Sequence, residues 1–227
     1  MLDLYIGNKN YSSWSMRVWL VLRHFNIEFN EHLIQFDHFE ADSQFKQAIL
    51  KINPTGKVPA LIHDQFLVWD TLAICEYLAE LFPEKDLWPK EIQQRALARS
   101  MSAEMHSSFM HLRRLYEMNI EADLRQVGLK LWQENLGLQH DVQRIEGLWT
   151  SRPDPNGFLC GAEFSIVDAF YAPVVMRFIG YGVPVSANSQ LYIQRIVELP
   201  AVQQWINEAK QEHCFVACEE PYRSKNS

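Results

Sequence analysis

The residues of this chain best placed to hold a ligand lie in the segment Asn-Pro-Thr-Gly-Lys-Val-Pro-Ala-Leu at 53–61 and in the pair Asp70 and Thr71. A residue that precedes a cis-proline turns its amide and carbonyl outward, so the Val58–Pro59 step predicts a backbone edge that pairs with an extended peptide. Asp70 and Thr71 stand where a helix would begin, and they offer a carboxylate, a hydroxyl and free amides to charged ligand ends. This spacing predicts a clamp for a peptide-like ligand.

A second pair of candidates, Ser12 and Ser13, lies in the segment Asn-Tyr-Ser-Ser-Trp-Ser-Met-Arg at residues 10–17. Taken alone, two serines just ahead of a helical pattern cap the helix far more often than they take part in chemistry. Only the presence of the segment at residues 53–61, called the clamp segment below, makes a chemical role for the serines the better hypothesis.

The spacing of apolar residues predicts the elements that position these side chains. Alternation indicates strands, helical periodicity indicates helices, and two short runs joined by Asp64-Gln65 have hairpin spacing. The predicted elements of the first third are a strand at 2–6, a helix at 13–25, a strand at 27–33, strands at 58–63 and 66–69, and a helix at 71–81. The order βαβ, then ββα, is that of a thioredoxin-like domain.

Beyond the last of these helices the strand signal disappears. Phe-Pro-Glu-Lys-Asp at 82–86 ends the helix, and a polar connector predicts a linker at 84–91 between domains at 1–83 and 92–227. Apolar residues at helical intervals, with no proline or glycine, predict one long helix over 92–118. Further helices are predicted at 122–135, 138–151, 165–180 and 201–212.

Bulk properties limit the functions that fit. Apolar residues make up 48% of the chain and the net charge is −7, which favours a folded core and disfavours nucleic acid as the main partner. Since there is no membrane-spanning apolar stretch and no signal-peptide pattern, a cytoplasmic location is expected. The four cysteines are expected to be reduced, with Cys214 and Cys218 one helical turn apart, and neither cysteine nor histidine spacing predicts a metal site.

The serine segment, the clamp segment and the Asp70-Thr71 step together resemble the glutathione site of the glutathione transferase superfamily. The resemblance covers nearly the whole chain and implies a thioredoxin-like domain followed by an all-helical domain. Within the superfamily, Ser-Ser-Trp-Ser-Met-Arg is closest to the serine-type zeta class, which has roughly Ser-Ser-Cys-Ser-Trp-Arg. The resemblance to the superfamily also implies that glutathione is the co-substrate, that the acceptor is a small hydrophobic electrophile, and that the protein is a homodimer.

In such a site a serine hydroxyl at the start of the first helix donates to the glutathione sulfur. The free thiol has a pKa of about 8.5, and a hydroxyl donor backed by helix amides could lower it by roughly two units, about 2.7 kcal/mol. The zeta pattern places this serine five residues before the arginine, which maps onto Ser12 and Arg17 and makes Ser12 the first choice. Delta-like classes have it four before an arginine, which keeps Ser13 as the alternative.

The resemblance places the rest of the glutathione site at Val58, Pro59, Asp70 and Thr71. Asp70-Thr71 replaces the usual Glu-Ser or Gln-Ser pair. Aspartate is shorter but keeps the charge that holds the γ-glutamyl ammonium, and threonine keeps the hydroxyl. Lys57 stands where the family often has a residue near the glycine carboxylate, although a solvated surface lysine explains it about as well.

For the acceptor pocket the resemblance points to Trp14, His106, Phe109 and Arg177. Trp14 replaces the cysteine of the zeta motif and would wall the pocket with a large ring. His106 and Phe109 lie on the long helix that faces the N-terminal domain in the family. The favoured alternative for His106 is a histidine at the domain interface whose hydrogen bonds are made within the protein. For Arg177, a surface ion pair is the favoured alternative.

The sequence Ser165-Ile166-Val167-Asp168 predicts a capping box and matches the Ser/Thr-x-x-Asp motif of the superfamily. Its role is structural, because Asp168 is expected to be buried and hydrogen-bonded, so its loss would damage folding more than chemistry. Met101 and Met105 are expected in the core.

The favoured hypothesis is a two-domain glutathione transferase. A second enzymatic hypothesis is a glutathione-dependent cis-trans isomerase of the maleylacetoacetate type, for which only Arg177 and Arg17 are candidate ligands of an acidic substrate. Two non-catalytic hypotheses are a scaffold that kept the fold and lost the chemistry, and a carrier of apolar ligands. The serine pair and Asp70 favour catalysis, since non-catalytic relatives often lose such residues.

Overall fold

The computed structural model describes residues 1–223 as a small mixed sheet with its helices, followed by a larger helical part. The first part contains β1 (Leu2–Ile6), α1 (Ser13–His24), β2 (Asn30–Leu33), α2 (Gln44–Ile49), β3 (Ala60–His63), β4 (Phe66–Trp69) and α3 (Thr71–Leu81). The second contains α4 (Ile92–Ser107), α5 (Met110–Leu115), α6 (Arg125–Glu134), α7 (Leu136–Thr150), α8 (Ile166–Tyr181), α9 (Ala187–Val197) and α10 (Pro200–Gln211).

The sheet has the strand order β2-β1-β3-β4. β1 runs parallel to β2 and antiparallel to β3, and β3 and β4 form the predicted hairpin. Leu4 and Ile6 of β1 are fully buried, as is Trp19 of α1. The predicted order, βαβ then ββα, is confirmed, and it places the start of α1 just beyond the end of β1.

Helix α8 is the central element of the helical part. Fourteen of its sixteen residues are buried, as expected for a helix that is apolar all round. It packs against both α1 and α4, so it joins the helical part to the sheet. Any charged side chain on α8 that points toward α1 therefore lies between the two parts of the molecule.

The predicted capping box at the start of α8 is confirmed. One carboxylate oxygen of Asp168 accepts from the Ser165 N–H at 3.0 Å, and the other accepts from the Leu159 N–H at 2.9 Å and the Tyr192 hydroxyl at 3.1 Å. Complete burial raises the pKa of Asp168 to about 6 against the effect of these hydrogen bonds. Asp168 thus fixes the loop that precedes α8.

The single long helix predicted over 92–118 is wrong. α4 ends at Ser107, and Phe109 has a left-handed backbone with a φ of 60°, which interrupts the helical hydrogen bonds. The Arg113 guanidinium donates to the carbonyls of Ser108, at 2.9 Å, and of Met105, so it satisfies oxygens that the break exposes. The break involves neither glycine nor proline, so the helical spacing of apolar residues does not reveal it.

Other differences concern short or terminal segments. Helices α2 and α9 have no counterpart among the predicted elements, although Ser43 and Ser186 cap them. β2 begins at Asn30 rather than at 27. Because α10 ends at Gln211, the two C-terminal cysteines do not share a helical turn, and all four cysteines are free thiols. Within residues 1–223, no helix is long and apolar enough to cross a bilayer.

Candidate active site

A cavity of about 750 Å³ lies where the start of α1, the loop before β3 and the start of α3 face the helical part. The predicted site residues that line it are Ser12, Ser13, Trp14, Lys57, Val58, Pro59, Asp70, Thr71, His106 and Arg177. Residues far apart in the chain therefore meet around one space.

Phe109 is the exception among the predicted site residues. It lies in the hydrophobic core with 5% of its surface exposed, rather than at the cavity. The prediction assumed a straight helix, and the break between α4 and α5 at this residue changes the direction of its side chain. Met101 and Met105 are buried, as predicted.

Ser12 is part of the turn that begins α1. Its hydroxyl oxygen accepts from the Ser15 N–H at 3.4 Å, and it donates to the Ser15 hydroxyl at 2.7 Å. The Ser15 hydroxyl in turn accepts from the Gly7 N–H at 3.2 Å. Ser12 is thus the N-cap of α1 and is linked through Ser15 to the end of β1.

Ser13, the first residue of α1, has a different partner. Its hydroxyl oxygen accepts from Nη2 of Arg177 at 3.1 Å. Arg177 lies on α8 and is buried, so the surface ion pair favoured for it by the sequence is wrong. The reason is that α8 is buried between the sheet and the other helices, which a local helical pattern does not reveal.

The clamp segment has the predicted form. The Val58–Pro59 peptide bond is cis. Buried Asn53 organises the loop ahead of it, since its side chain donates to the Lys57 carbonyl at 2.8 Å and accepts from the Thr55 N–H at 3.1 Å. Within the described residues neither the N–H nor the C=O of Val58 has a hydrogen-bond partner, which leaves both available to a ligand.

Asp70 and Thr71 form the start of α3. One carboxylate oxygen of Asp70 accepts from the N–H groups of Leu72 and Ala73, at 2.9 and 3.3 Å. Asp70 has a φ of 74°, a conformation that residues other than glycine rarely adopt and that recurs at ligand-binding sites. The Thr71 hydroxyl is buried and has no partner among residues 1–223, which fits a ligand group.

His106 reaches Asp70 from the opposite wall. Its Nε2 lies 3.2 Å from the second carboxylate oxygen of Asp70, and its ring packs edge-on against Trp14. Burial lowers the pKa of His106, Asp70 opposes the shift, and the Arg17 charge adds to it. A neutral imidazole that donates from Nε2 would orient the Asp70 carboxylate, whereas the sequence suggested no carboxylate partner for this histidine.

Trp14 forms one wall of the cavity and is stacked against two guanidinium groups. Arg17 lies 4.3 Å and Arg113 4.9 Å from the centre of its ring, and Phe170 covers Arg17 from the other side at 4.8 Å. Arg17 is fully buried, and its guanidinium nitrogens have no hydrogen-bond partner among the described residues. Burial lowers the pKa of Arg17 well below its ordinary value. Arg17 does not line the cavity and so does not serve as the predicted ligand of an acidic substrate.

Sequence reasoning missed several residues on the helical side of the cavity. Arg113, Glu117 and Glu219 line it beside Arg177. Burial and the neighbouring Glu117 raise the pKa of Glu219 to about 7, and Arg177 opposes that shift. No motif surrounds these three residues, and only the packing of the end of α5 and the segment after α10 brings them together.

The opposite end of the cavity carries an aromatic cluster and a second lysine. Phe36, Phe39 and Phe45 pack edge to face, and all three line the cavity. Lys46 donates from Nζ to the Gly56 carbonyl at 2.8 Å, so its ammonium lies beside the clamp loop. Lys57 also lines the cavity but is exposed. Two cations therefore border this end.

No group of three or more histidine, cysteine, aspartate or glutamate side chains between residues 1 and 223 is arranged to hold a metal ion. The polar groups that line the cavity are hydroxyls, backbone amides, carboxylates and cations. Such a set can bind a zwitterionic, peptide-like molecule by hydrogen bonds and ion pairs.

Two family descriptions match the chain. Residues 11–81 match "Glutathione S-transferase, N-terminal domain", and residues 132–208 match "Glutathione S-transferase, C-terminal domain". The first match contains the serine pair, the clamp segment and the start of α3. The second contains the last three residues of α6, all of α7, α8 and α9, and most of α10.

Individual relatives agree with these matches. Glutathione S-transferase 1 of Dianthus caryophyllus is 28% identical over an alignment that covers 82% of this chain and 81% of the relative. A probable maleylacetoacetate isomerase of Caenorhabditis elegans is 34% identical over 49% of this chain and 50% of the relative. The crystal structure of a glutathione transferase homolog from Burkholderia with bound glutathione superposes with a TM-score of 0.70 at 24% identity, covering 92% of this chain and 98% of that one.

Proposed function

Because the chain belongs to the glutathione S-transferase family and has its fold, we propose that it binds glutathione in this cavity and transfers the thiolate to an electrophilic small molecule. The observation that carries the proposal is the set of polar groups without partners at the clamp. The backbone of Val58 and the hydroxyl of Thr71 face the same cavity as the serine pair. A tripeptide with a central thiol supplies complementary groups to each.

In the proposed pose the γ-glutamyl end lies at α3 and the glycine end at the clamp loop. The ammonium group pairs with Asp70, whose carboxylate is held by the start of α3 and by His106. The γ-glutamyl carboxylate accepts from the Thr71 hydroxyl. The backbone of the central cysteine pairs with Val58, and the glycine carboxylate lies beside Lys57 and Lys46.

The thiol then lies near the start of α1, next to Ser12 and Ser13. There the unpaired amides of the helix and a hydroxyl donor stabilise the thiolate over the thiol. The thiolate attacks the electrophilic carbon of the acceptor, a carbon–sulfur bond forms, and the leaving group departs with the electron pair. The thiol proton is released to solvent when the thiolate forms.

The acceptor is expected between Trp14, His106 and the helical side of the cavity. A second candidate reaction is the cis-trans isomerase named for the Caenorhabditis relative, in which the thiolate adds to a conjugated double bond and leaves again after rotation. The observation that favours it is the presence of Arg113 and Arg177 at this end, since guanidinium groups suit an acidic acceptor.

We propose further that the protein is a homodimer located in the cytoplasm. Each chain would have domains at residues 1–83 and 92–227, joined by a linker at 84–91.

Calorimetric titration with glutathione, followed by a conjugation assay with a chromogenic aryl halide, tests the function. We expect binding by the unaltered protein, and a fall in conjugation rate of up to about 25-fold at neutral pH in the double variant Ser12→Ala, Ser13→Ala, because up to two pKa units of thiol activation are lost. Ser151→Ala, at the end of α7, is the matched serine control and should leave the rate unchanged. Absence of glutathione binding by the unaltered protein would favour the scaffold instead.

A further inference from the structure

The two serines at the start of α1 differ in the hydrogen bonds that their hydroxyl groups have available for a ligand. The Ser12 hydroxyl oxygen lies 2.7 Å from the Ser15 hydroxyl oxygen and accepts from the Ser15 N–H, so both of its contacts lie within the turn. Ser15 is itself tied to the Gly7 N–H. Turning the Ser12 hydroxyl toward a ligand would disturb these hydrogen bonds of the helix cap.

The Ser13 hydroxyl is in the opposite situation. A guanidinium group has donors only, so in the contact between Arg177 Nη2 and Ser13 Oγ, 3.1 Å long, the serine must accept. Its own proton has no acceptor among residues 1–223, while the side chain lines the cavity. The Arg177 contact therefore fixes the oxygen of Ser13 and leaves its proton for a ligand.

Arg177 is well held for this task. Its Nε donates to the Tyr116 carbonyl at 2.7 Å and its Nη1 donates to the Pro173 carbonyl at 3.3 Å, so the plane of the guanidinium is fixed from α5 and α8. Burial and the nearby Arg113 lower the pKa of Arg177 to about 10, which leaves it charged at neutral pH. The other charged groups near it are Arg17, Glu117 and Glu219.

We propose that Ser13 is the hydroxyl that donates to the glutathione sulfur and that Arg177 is its positioning residue. The proposal rests on the proposed function and reverses the order of preference that the sequence gives for the two serines. Arg177 contributes in two ways. It holds Ser13 Oγ in one rotamer, and by withdrawing electron density from that oxygen it makes the serine proton a stronger donor.

The test is a pH titration of the ultraviolet thiolate absorbance of bound glutathione, in the unaltered protein and in four variants: Ser12→Ala, Ser13→Ala, Arg177→Gln, and Ser13→Ala with Arg177→Gln. Ser13→Ala is expected to raise the bound thiol pKa by about one unit, which for a starting pKa of about 6.5 reduces the thiolate fraction about threefold at neutral pH. Arg177→Gln should raise it by a similar or smaller amount. In the double variant, Arg177→Gln should raise the thiol pKa little beyond the effect of Ser13→Ala alone, because Arg177 acts on the sulfur only through the Ser13 hydroxyl.

Two controls separate positioning from a general loss of structure. Arg152 is also buried and hydrogen-bonded to carbonyls, but it does not line the cavity, so Arg152→Gln should leave the thiol pKa unchanged. Arg177→Lys keeps the charge with a different geometry and should give an intermediate pKa. It also supplies a second variant if Arg177→Gln does not fold.

The outcomes distinguish this inference from the proposed function. A pKa raised by Ser12→Ala and unaffected by Ser13→Ala would overturn the inference and leave the transferase proposal standing. The inference would also be wrong if Arg177→Gln shifted the pKa as strongly without Ser13 as with it, since Arg177 would then act on the sulfur directly. A bound thiol with an ordinary pKa in the unaltered protein would overturn both.

Discussion

Asp70 combines two tasks in one carboxylate. One oxygen caps α3 through the N–H groups of Leu72 and Ala73, while the other faces His106 and the cavity. The cap is an ordinary contribution to stability, whereas the second oxygen and the negative charge are what a ligand ammonium would use. Because these tasks depend on different properties of the side chain, substitutions can separate them.

The change Asp70→Asn keeps an oxygen for the cap and removes the charge. We expect the Kd for glutathione to rise about 10- to 100-fold, since a charge-assisted hydrogen bond contributes roughly 1.5 to 3 kcal/mol. The free energy of unfolding should change by less than about 1 kcal/mol, because asparagine caps helices as well as aspartate does. Calorimetry with glutathione and chemical denaturation measure the two effects.

The matched comparison is Asp70→Ala, which removes both the charge and the cap. It should weaken glutathione binding at least as much and, in addition, destabilise the fold by about 0.5 to 2 kcal/mol. If Asp70→Asn bound glutathione as tightly as the unaltered protein, the ammonium would have to lie elsewhere in the cavity.

At the scale of elements, the contact between α6 and the end of α8 depends on a glycine. A Cβ added to Gly128 would lie 2.1 Å from the carbonyl oxygen of Tyr181, and the Tyr116 hydroxyl donates to the Gly128 carbonyl at 2.8 Å. The backbones of α6 and α8 can therefore approach closely only with glycine at this position. The contact helps to place α8, and with it Arg177.

The substitution Gly128→Ala should therefore destabilise the fold by about 1 to 3 kcal/mol, because overpacking forces the backbones apart. This outcome opposes helix propensity, which favours alanine over glycine by about 1 kcal/mol. Thermal or chemical denaturation gives the sign directly.

Gly147 in α7 is the matched control, since nothing lies within 4 Å of an added Cβ there. Gly147→Ala should stabilise the protein by about 0.5 to 1 kcal/mol. Equal stabilisation by both changes would mean that α6 and α8 do not approach as closely as described.

The elements also show what the sequence could and could not predict. Local patterns were sufficient for the sheet, the clamp and the α8 capping box, because a few neighbouring residues determine each. The break at Phe109 was missed because it involves neither glycine nor proline, and because the Arg113 contacts beside it do not change the helical spacing of apolar residues. The contact of Ser13 with Arg177 joins residues 164 positions apart, and the packing of the end of α5 against the segment after α10 brings Glu117 and Glu219 together. Such contacts follow from packing and leave no local pattern.

For the whole molecule, a buried lysine joins the sheet to the last helix. Lys9 pairs with Glu31 of β2 at 2.5 Å and with Glu208 of α10, and its ammonium lies 5.0 Å from the Trp19 ring and 5.6 Å from the Trp205 ring. These contacts fix α10 against α1 and β2. They also hold the loop that leads into the serine pair.

Replacing the lysine by an apolar side chain of similar length tests this link. Lys9→Met should lower the free energy of unfolding by about 2 to 4 kcal/mol, because it leaves two partly buried carboxylates without their cation. Lys90→Met removes the exposed pair with Asp86 and should cost at most about 1 kcal/mol. Similar losses in the two variants, measured by denaturation, would show that Lys9 does not join the two parts.

The segment after α10 also contacts the loop before α1. The Glu212 carboxylate accepts from the backbone N–H groups of Lys9, at 2.7 Å, and Asn10, at 3.2 Å, and the Tyr11 hydroxyl donates to the Cys214 carbonyl at 2.6 Å. During synthesis the ribosome makes Lys9 203 residues ahead of Glu212. The nascent chain thus carries both serines from the start but completes their surroundings only near the end of translation. The proposed thiol activation would therefore require that nearly the whole chain has been made and folded.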